Sequence, residues 1–437
     1  MRGLASGGIS AILESAGWRR PHWYLFTAAS LNYLLDGVVF AIAPLIAAII
    51  APELAVPIFV SNLAAETAGS IFFGYLADKR GRKLCLILIN SIQAVSTSLL
   101  FLLYREPVAV WALTSLLSFS VGGDYGASYA ALAEIVPARH RGKAILLSTN
   151  FWNVGSAAIA GAALVFQSIY SDPLIQAQYI LLSAMATLGL VALIRLAMPE
   201  SPRWLLHVGR REEALKIVIG FGAPHPSPNP SLEDHEGKSA GVGVGFIKRF
   251  TILTVVTISQ YVTYGMMAYY APYARGFAFG VESAPMVIFV ANLGASVGAL
   301  LLWPLIDRSR RLSILLSFLL GTALAALVHL THTVGQPIYF YAALFACLIF
   351  SEWAWGSVSA LQSELFPTGI RATMVGVLTG LTGVSGAAVV FTQNILSASE
   401  FLAASVLLWG AGLAATVAWA LRGVETANRT VEELGMG

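Results

Sequence analysis

The chain reads as a succession of apolar stretches separated by short polar breaks. A membrane-spanning helix needs about 20 predominantly apolar residues. Twelve stretches qualify, at roughly 23–50, 58–77, 83–104, 107–133, 143–167, 177–197, 248–272, 283–306, 312–332, 337–362, 373–396 and 400–421. Several neighbours are joined by very short turns, which predicts antiparallel helical hairpins. Polar positions set the orientation. Of the 26 Lys and Arg residues, 24 fall on the side that carries the N-terminus, and only Arg105 and Arg275 on the other. Basic residues stay in the cytoplasm, so both termini and the central loop are expected there. The sequon at Asn428–Arg429–Thr430 is then out of reach of a glycosylating compartment.

The predicted architecture is an all-α membrane protein of twelve transmembrane helices in two six-helix halves. A cytoplasmic segment (1–22) precedes the first half (23–197). A cytoplasmic loop (198–247) separates it from the second half (248–421), and a tail (422–437) follows. The loop opens with "PESPRWLLHVGRREEALKIV", whose Pro-Glu-Ser-Pro start and amphipathic spacing predict short helices. Its remainder, rich in Pro, Gly and Ser, reads as a flexible linker.

Composition sharpens this. Of 437 residues, 57% are hydrophobic and 11% charged, against about 25% charged in soluble domains. With a mean hydropathy of +0.74, a soluble core is excluded. A net charge of +3 with no basic, aromatic-interleaved face argues against nucleic acid. Cys85 and Cys347 lie in apolar spans and read as inert hydrophobes. The N-terminal residues lack the compact apolar core of a cleaved signal peptide, so the first span is expected to direct insertion. No G-x-x-x-x-G-K-[ST] loop, H-E-x-x-H or Cys/His metal spacing is present. Neither an enzyme, an ATP-driven pump, a cofactor nor a metal is expected.

The halves repeat. "EIVPARHR" follows the fourth span and "ELFPTGIR" the tenth, both Glu-x-x-Pro-x-x-x-Arg: Glu134 and Arg141, then Glu364 and Arg371. "GYLADKRGRK" follows the second span and "WPLIDRSRRL" the eighth, aligning Asp78 and Arg82 with Asp307 and Arg311. Two similar halves flanking a substrate path are a transporter architecture. In the second copy Trp303 and Arg310 replace Gly74 and Gly81, so the tight glycine turn is not expected there.

On these motifs the chain resembles the major facilitator superfamily. "PESPRWLL…GRREEALK", the paired E-x-x-P-x-x-x-R motifs and the tail "ETANRTVEEL" are similar to its sugar-porter branch and to related organic-ion, aromatic-acid and phosphate:proton transporters. The resemblance implies a cytoplasmic latch in which Glu134, Glu364 and Glu200 meet Arg82, Arg141, Arg311 and Arg371, with Asp78 beside a helix N-terminus and Asp307 as its counterpart. The plainer alternative is that the basic loops only fix topology. That leaves the acids without a purpose. Partly exposed pairs contribute only about 0.2–1 kcal/mol each, so such a latch has to act as a network.

Four carboxylates interrupt the spans: Asp36, Asp124, Glu66 and Glu352. A charge at mid-bilayer costs at least about 2.5–3.5 kcal/mol. Each is either a proton-handling group or a carboxyl kept neutral or hydrogen-bonded between helices. A carboxylate withdrawn from water takes up a proton more readily than one on a surface. "GGDYG" around Asp124 resembles the fourth-span motif of phosphate:proton symporters, where a first-span Asp recurs. The resemblance thus implies a proton path through Asp36 and Asp124. The glycines at 122, 123, 126, 376, 380, 383 and 386 suit close helix approach.

For the solute, the polar and aromatic residues inside spans are candidates: Tyr125, Asn150, Trp152, Asn153, Gln260, Tyr264, Asn292, Trp355, Gln393 and Asn394. The phosphate-transporter pattern fails in the seventh span (Val256, Gln260, Tyr264) and in the tenth (Trp353, Ala354, Trp355). The sugar pattern keeps one glutamine and Tyr269–Tyr270 but lacks the double glutamine and the asparagine. Aromatics in place of hydrogen-bonders favour an aromatic acid or an organic ion. The expectation is a monomeric proton-coupled symporter of the plasma membrane, working by alternating access. Its alternatives are an uncoupled facilitator, a proton-driven efflux antiporter and a non-transporting sensor.

Overall fold

The computed structural model describes residues 18–195, 199–220, 244–430 and Leu434. The linker expected at the end of the central loop, most of the N-terminal segment and the end of the tail lie outside these. Six long helices come first: α1 (Arg20–Ile50), α2 (Ala55–Arg80), α3 (Arg82–Leu103), α4 (Pro107–Ile135), α5 (Ala138–Ile169) and α6 (Pro173–Arg195). Two short ones follow, α7 (Pro202–His207) and α8 (Arg211–Gly220), where short helices were expected. Six more long ones complete the chain: α9 (Val244–Gly265), α10 (Ala284–Ile306), α11 (Arg310–Val334), α12 (Pro337–Glu364), α13 (Arg371–Phe391) and α14 (Ala398–Arg422). Proline opens α4, α6, α7 and α12, where its missing N–H costs no hydrogen bond and its φ suits the first turn.

Among the described residues, ten of these helices are long and apolar enough to cross a membrane. Helix α4 is not among the ten, because its middle carries Ser118, Ser120, Asp124, Tyr125, Ser128 and Tyr129. All of these are buried by neighbouring helices. A helix enclosed by protein does not need an apolar surface all round.

The first six helices pack on one another, with α2 along α4 and α1 along α5; the last six repeat this with α10 along α12 and α9 against α13. Two equivalent seams join the groups, α2 with α13 and α5 with α10. Along the first, a Cβ at Gly376 would strike the Ser70 carbonyl, and within the first half one at Gly122 on α4 would strike the Glu66 carbonyl on α2. Glycine therefore sets how closely these backbones approach. The expected seventh span is interrupted at its outer end. After Gly265 the helix widens into a π-turn (Met266–Tyr270) and tightens into a 3-10 turn (Ala271–Tyr273), a deformation frequent at functional sites. It turns Tyr269 and Tyr270 toward the seam between the halves.

Candidate functional site

At the end that carries the termini, the two halves are held by buried ion pairs. Glu134, at the end of α4, accepts from Arg82 Nη2 and from Arg371 Nη1 on the same oxygen, both at 2.8 Å. Arg82 belongs to its own half and Arg371 to the other. The second copy repeats the exchange. Glu364 lies 3.1 Å from Arg310 of its own half and 4.0 Å from Arg141 of the first. Asp78 adds a third link across the seam. It accepts from the Ala372 and Thr373 backbone N–H groups (3.3 and 2.8 Å) and from the Thr373 hydroxyl (2.6 Å), at the N-terminus of α13 where the helix dipole favours an anion. Glu134 is 0% exposed and Arg371 1%, so these are not the partly exposed pairs the sequence suggested.

Two expected roles are corrected. Among the described residues Arg311 pairs with no acid; its guanidinium donates to the Ala420 carbonyl. Arg310 takes the position, bonding Asp307 at 3.0 Å and Glu364 at 3.1 Å. The cause is the turn. Helix α2 runs to Arg80 and reverses at Gly81, with φ +100°, whereas α10 stops at Ile306 and α11 is capped by Ser309. The second connection therefore brings its arginine in one residue earlier. Glu200 hydrogen-bonds its latch arginine, Arg82, through the backbone N–H and not through the guanidinium. It accepts from the first N–H groups of α3, those of Arg82 (3.0 Å) and Lys83 (3.1 Å).

Glu425 does the same for α11. It accepts from Arg310 N–H (2.9 Å), Arg311 N–H (3.4 Å) and the Ser309 hydroxyl (2.6 Å). "ESPR" after the sixth span and "ETANR" after the twelfth are thus a third repeat. The unequal spacing of the two segments hides this pairing in the sequence. Arg203, also missed, donates to the Glu134 carbonyl at 2.5 Å. The two caps differ electrostatically. Burial outweighs the donors at Glu200 and raises its pKa above the ordinary carboxylate value. At Glu425 burial pushes the same way, but the Ser309 hydroxyl and the backbone N–H groups outweigh it and lower the pKa.

Between the halves lies a cavity of about 40 Å³, room for a few waters and less than a small-molecule site offers. Eight of its eighteen lining residues are aromatic: Tyr33, Phe40, Tyr125, Trp152, Tyr261, Tyr264, Tyr270 and Trp355. Their rings form a near-continuous wall, with Tyr125 5.8 Å from Trp355 and 6.0 Å from Trp152, and Tyr261 6.0 Å from Trp355. The ceiling is aromatic too. Phe59 packs on Tyr270 and Tyr273, and the Tyr273 hydroxyl donates to the Pro44 carbonyl across the seam. Contacts between the halves thus lie on both sides of the cavity.

Of the expected cavity residues, Tyr125, Trp152, Asn153, Gln260, Tyr264 and Trp355 line the space. Asn292 stands one layer back, accepting from the Tyr264 hydroxyl at 2.6 Å, and Gln393 donates to the Tyr270 carbonyl instead of lining the cavity. Asn150 accepts from Asn153 at 3.3 Å. Asn394 ends the short turn after α13, away from the lining.

The four acids separate into two kinds. Asp36 accepts from Asn32 (3.1 Å) and Gln93 (2.5 Å), and Asp124 accepts from Ser128 (2.9 Å). These partners belong to the first half, and neither acid is among the lining residues. Glu352 and Glu66 instead join the halves. Glu352 lines the cavity and accepts from Asn153 at 2.9 Å; Glu66 accepts from the hydroxyl of Tyr261, itself a wall residue.

Comparison with known proteins agrees with this architecture. Residues 53–436 match the family model described as "Sugar (and other) transporter". The chain is 29% identical over 396 residues, 86% of each protein, to the putative metabolite transport protein YaaU of Escherichia coli. It is 26% identical to the putative niacin/nicotinamide transporter NiaP of Bacillus subtilis, covering 83% of this chain and 85% of that one. In structure it overlays the proton:xylose symporter XylE bound to 6-bromo-6-deoxy-D-glucose with a TM-score of 0.78 at 19% identity, over 94% of this chain and 98% of that one.

Proposed function

The chain belongs to the sugar (and other) transporter family of the major facilitator superfamily, and from that premise we propose that it is a proton-coupled symporter of a small organic solute. As a family member it is a multi-pass integral protein of the plasma membrane that transports small solutes. The finer reading is a monomer with twelve spans, both termini in the cytoplasm, and halves meeting on either side of the central loop near 198–247. Alternating access then follows from a rocking of the halves about the cavity. The observation that carries this is the reciprocal exchange at the terminal-bearing end: each Glu of the E-x-x-P-x-x-x-R motif lies beside the Arg of the opposite half's motif. Such a closure forms in one state and must part in the other.

Asp36 and Asp124 are the proposed proton carriers. Both are buried within one half, next to the aromatic wall through Tyr33 and Tyr125. Protonation there alters the packing of α1 and α4 without obstructing the solute. The test is uptake into proteoliposomes of radiolabelled xylose, myo-inositol, nicotinate and choline, with and without an acid-outside pH gradient. Accumulation of one of these driven by the gradient, and lost in Asp36→Asn or Asp124→Asn, is expected. Accumulation that persists in both variants at the wild-type level rules out this proton path.

A further inference from the structure

We propose that the solute is an organic cation, an ammonium carried on an apolar or aromatic body, with Glu352 as its counter-ion and Trp355, Trp152 and Tyr125 as its cage. The proposal rests on the transporter reading of the same cavity and names its cargo class.

Three observations point to it. First, among the described residues Glu352 is the only charged one lining the cavity, and it is 4% exposed. Among the described residues, no Lys, Arg or His lines it, so an anionic solute would meet like charge and no counter-charge.

Second, the cavity's unpartnered hydrogen-bonding groups are richer in acceptors than in donors. The Asn153 amide N–H groups are taken by Glu352 and Asn150, while its oxygen lies 3.2 Å from the Tyr264 hydroxyl. The Gln260 N–H₂ donates to the Ser351 carbonyl and hydroxyl at 3.2 and 3.3 Å. The Tyr264 hydroxyl donates to Asn292. What remains without a protein partner among the described lining residues is Oε1 of Glu352 and Oε1 of Gln260, both acceptors, with one donor, the Trp152 indole N–H, and the Tyr33 hydroxyl, which can act either way. A carboxylate or phosphate needs donors, and a sugar needs donors and acceptors in similar number. An ammonium supplies only donors, which the two free acceptors, one of them charged, can take.

Third, aromatic faces attract cations through their quadrupole, and the wall here is aromatic on several sides. A buried carboxylate with an unpartnered oxygen is costly when empty. A cation entering as the halves part removes that cost and the burial of its own charge together.

The test uses three probes with the same skeleton and different charge: phenethylamine, 2-phenylethanol and phenylacetate, with xylose as a fourth. Binding to the purified full chain in detergent is read by quenching of tryptophan fluorescence and by thermal shift. Phenethylamine is expected to bind saturably and most tightly. Glu352→Gln should weaken it about tenfold or more, the loss of one charge-assisted contact, while leaving phenylethanol unchanged, and Glu352→Asp should recover part of the loss. Tighter binding of phenylacetate or xylose, an unaltered phenethylamine affinity in Glu352→Gln, or no saturable phenethylamine binding at millimolar concentration each overturns the proposal. Binding needs no gradient, so these outcomes leave proton coupling standing, and a coupling failure in proteoliposomes leaves the cation site standing.

Discussion

Glu134→Gln is the substitution that most directly probes the closure. It keeps the side chain's shape and removes its charge. In the closed state one Glu134 oxygen neutralises two guanidiniums, Arg82 and Arg371, each at 2.8 Å and each 1% exposed. Without the carboxylate, two like charges face each other with little water. Removing one partner of a buried pair costs about 3–5 kcal/mol. In the open state water reaches the same arginines, so most of that cost falls on the closed state alone. At about 1.4 kcal/mol per decade, the closed-to-open ratio falls by roughly two to three and a half powers of ten. The readout is a cysteine at Ser359, a buried residue between gate and cavity whose hydroxyl meets Tyr129 at 3.0 Å, in a background lacking Cys85 and Cys347. In inside-out vesicles a membrane-impermeant maleimide should label it far faster with Glu134→Gln than without. Glu213→Gln is the control: it breaks an exposed pair with Arg210, worth about 0–1 kcal/mol. Equal labelling in the Glu134 variant and the control would refute the reasoning.

Arg310→Ala should lower the melting temperature in detergent more than Arg311→Ala does, because only Arg310 reaches Asp307 and Glu364; the opposite ranking would restore Arg311 to the latch. Glu425 has a lowered pKa in the folded protein, held down by the Ser309 hydroxyl and the N–H groups that outweigh burial. Its stabilisation is therefore present above the ordinary value of 4.5 and lost as pH falls through the lower folded value. Glu425→Gln should melt below the wild type at neutral pH, with the gap closing under acid, and a pH-independent gap would deny the carboxylate its capping role.

Much of the helical framework was legible because a bilayer makes it a local property. Backbone groups in lipid must be satisfied within each helix, so length and hydropathy reveal a span whatever surrounds it. The repeat was legible for a related reason: Glu134 and Glu364, like Arg141 and Arg371, sit at helix ends, where a polar residue interrupts an apolar run. The third repeat, Glu200 with Glu425, was harder to see. Its residues lie in irregular segments with unequal spacing and share only the task of capping a helix.

The sequence by itself determined the twelve apolar segments, the clustering of basic residues at one end, the duplicated motifs and four acids inside spans. Tertiary structure alone decided which way each of those side chains faces. A helix turns about 100° per residue, so ending α10 at Ile306 while α2 runs to Arg80 was enough to hand the role of Arg311 to Arg310. The same rotation leaves Asp36 and Asp124 among partners of their own half and brings Glu352 to the cavity wall, a distinction hydropathy cannot register. Burial of Glu134 between two arginines was likewise a product of assembly. One half supplies the acid and one arginine, and only docking of the other half adds Arg371 and excludes the water.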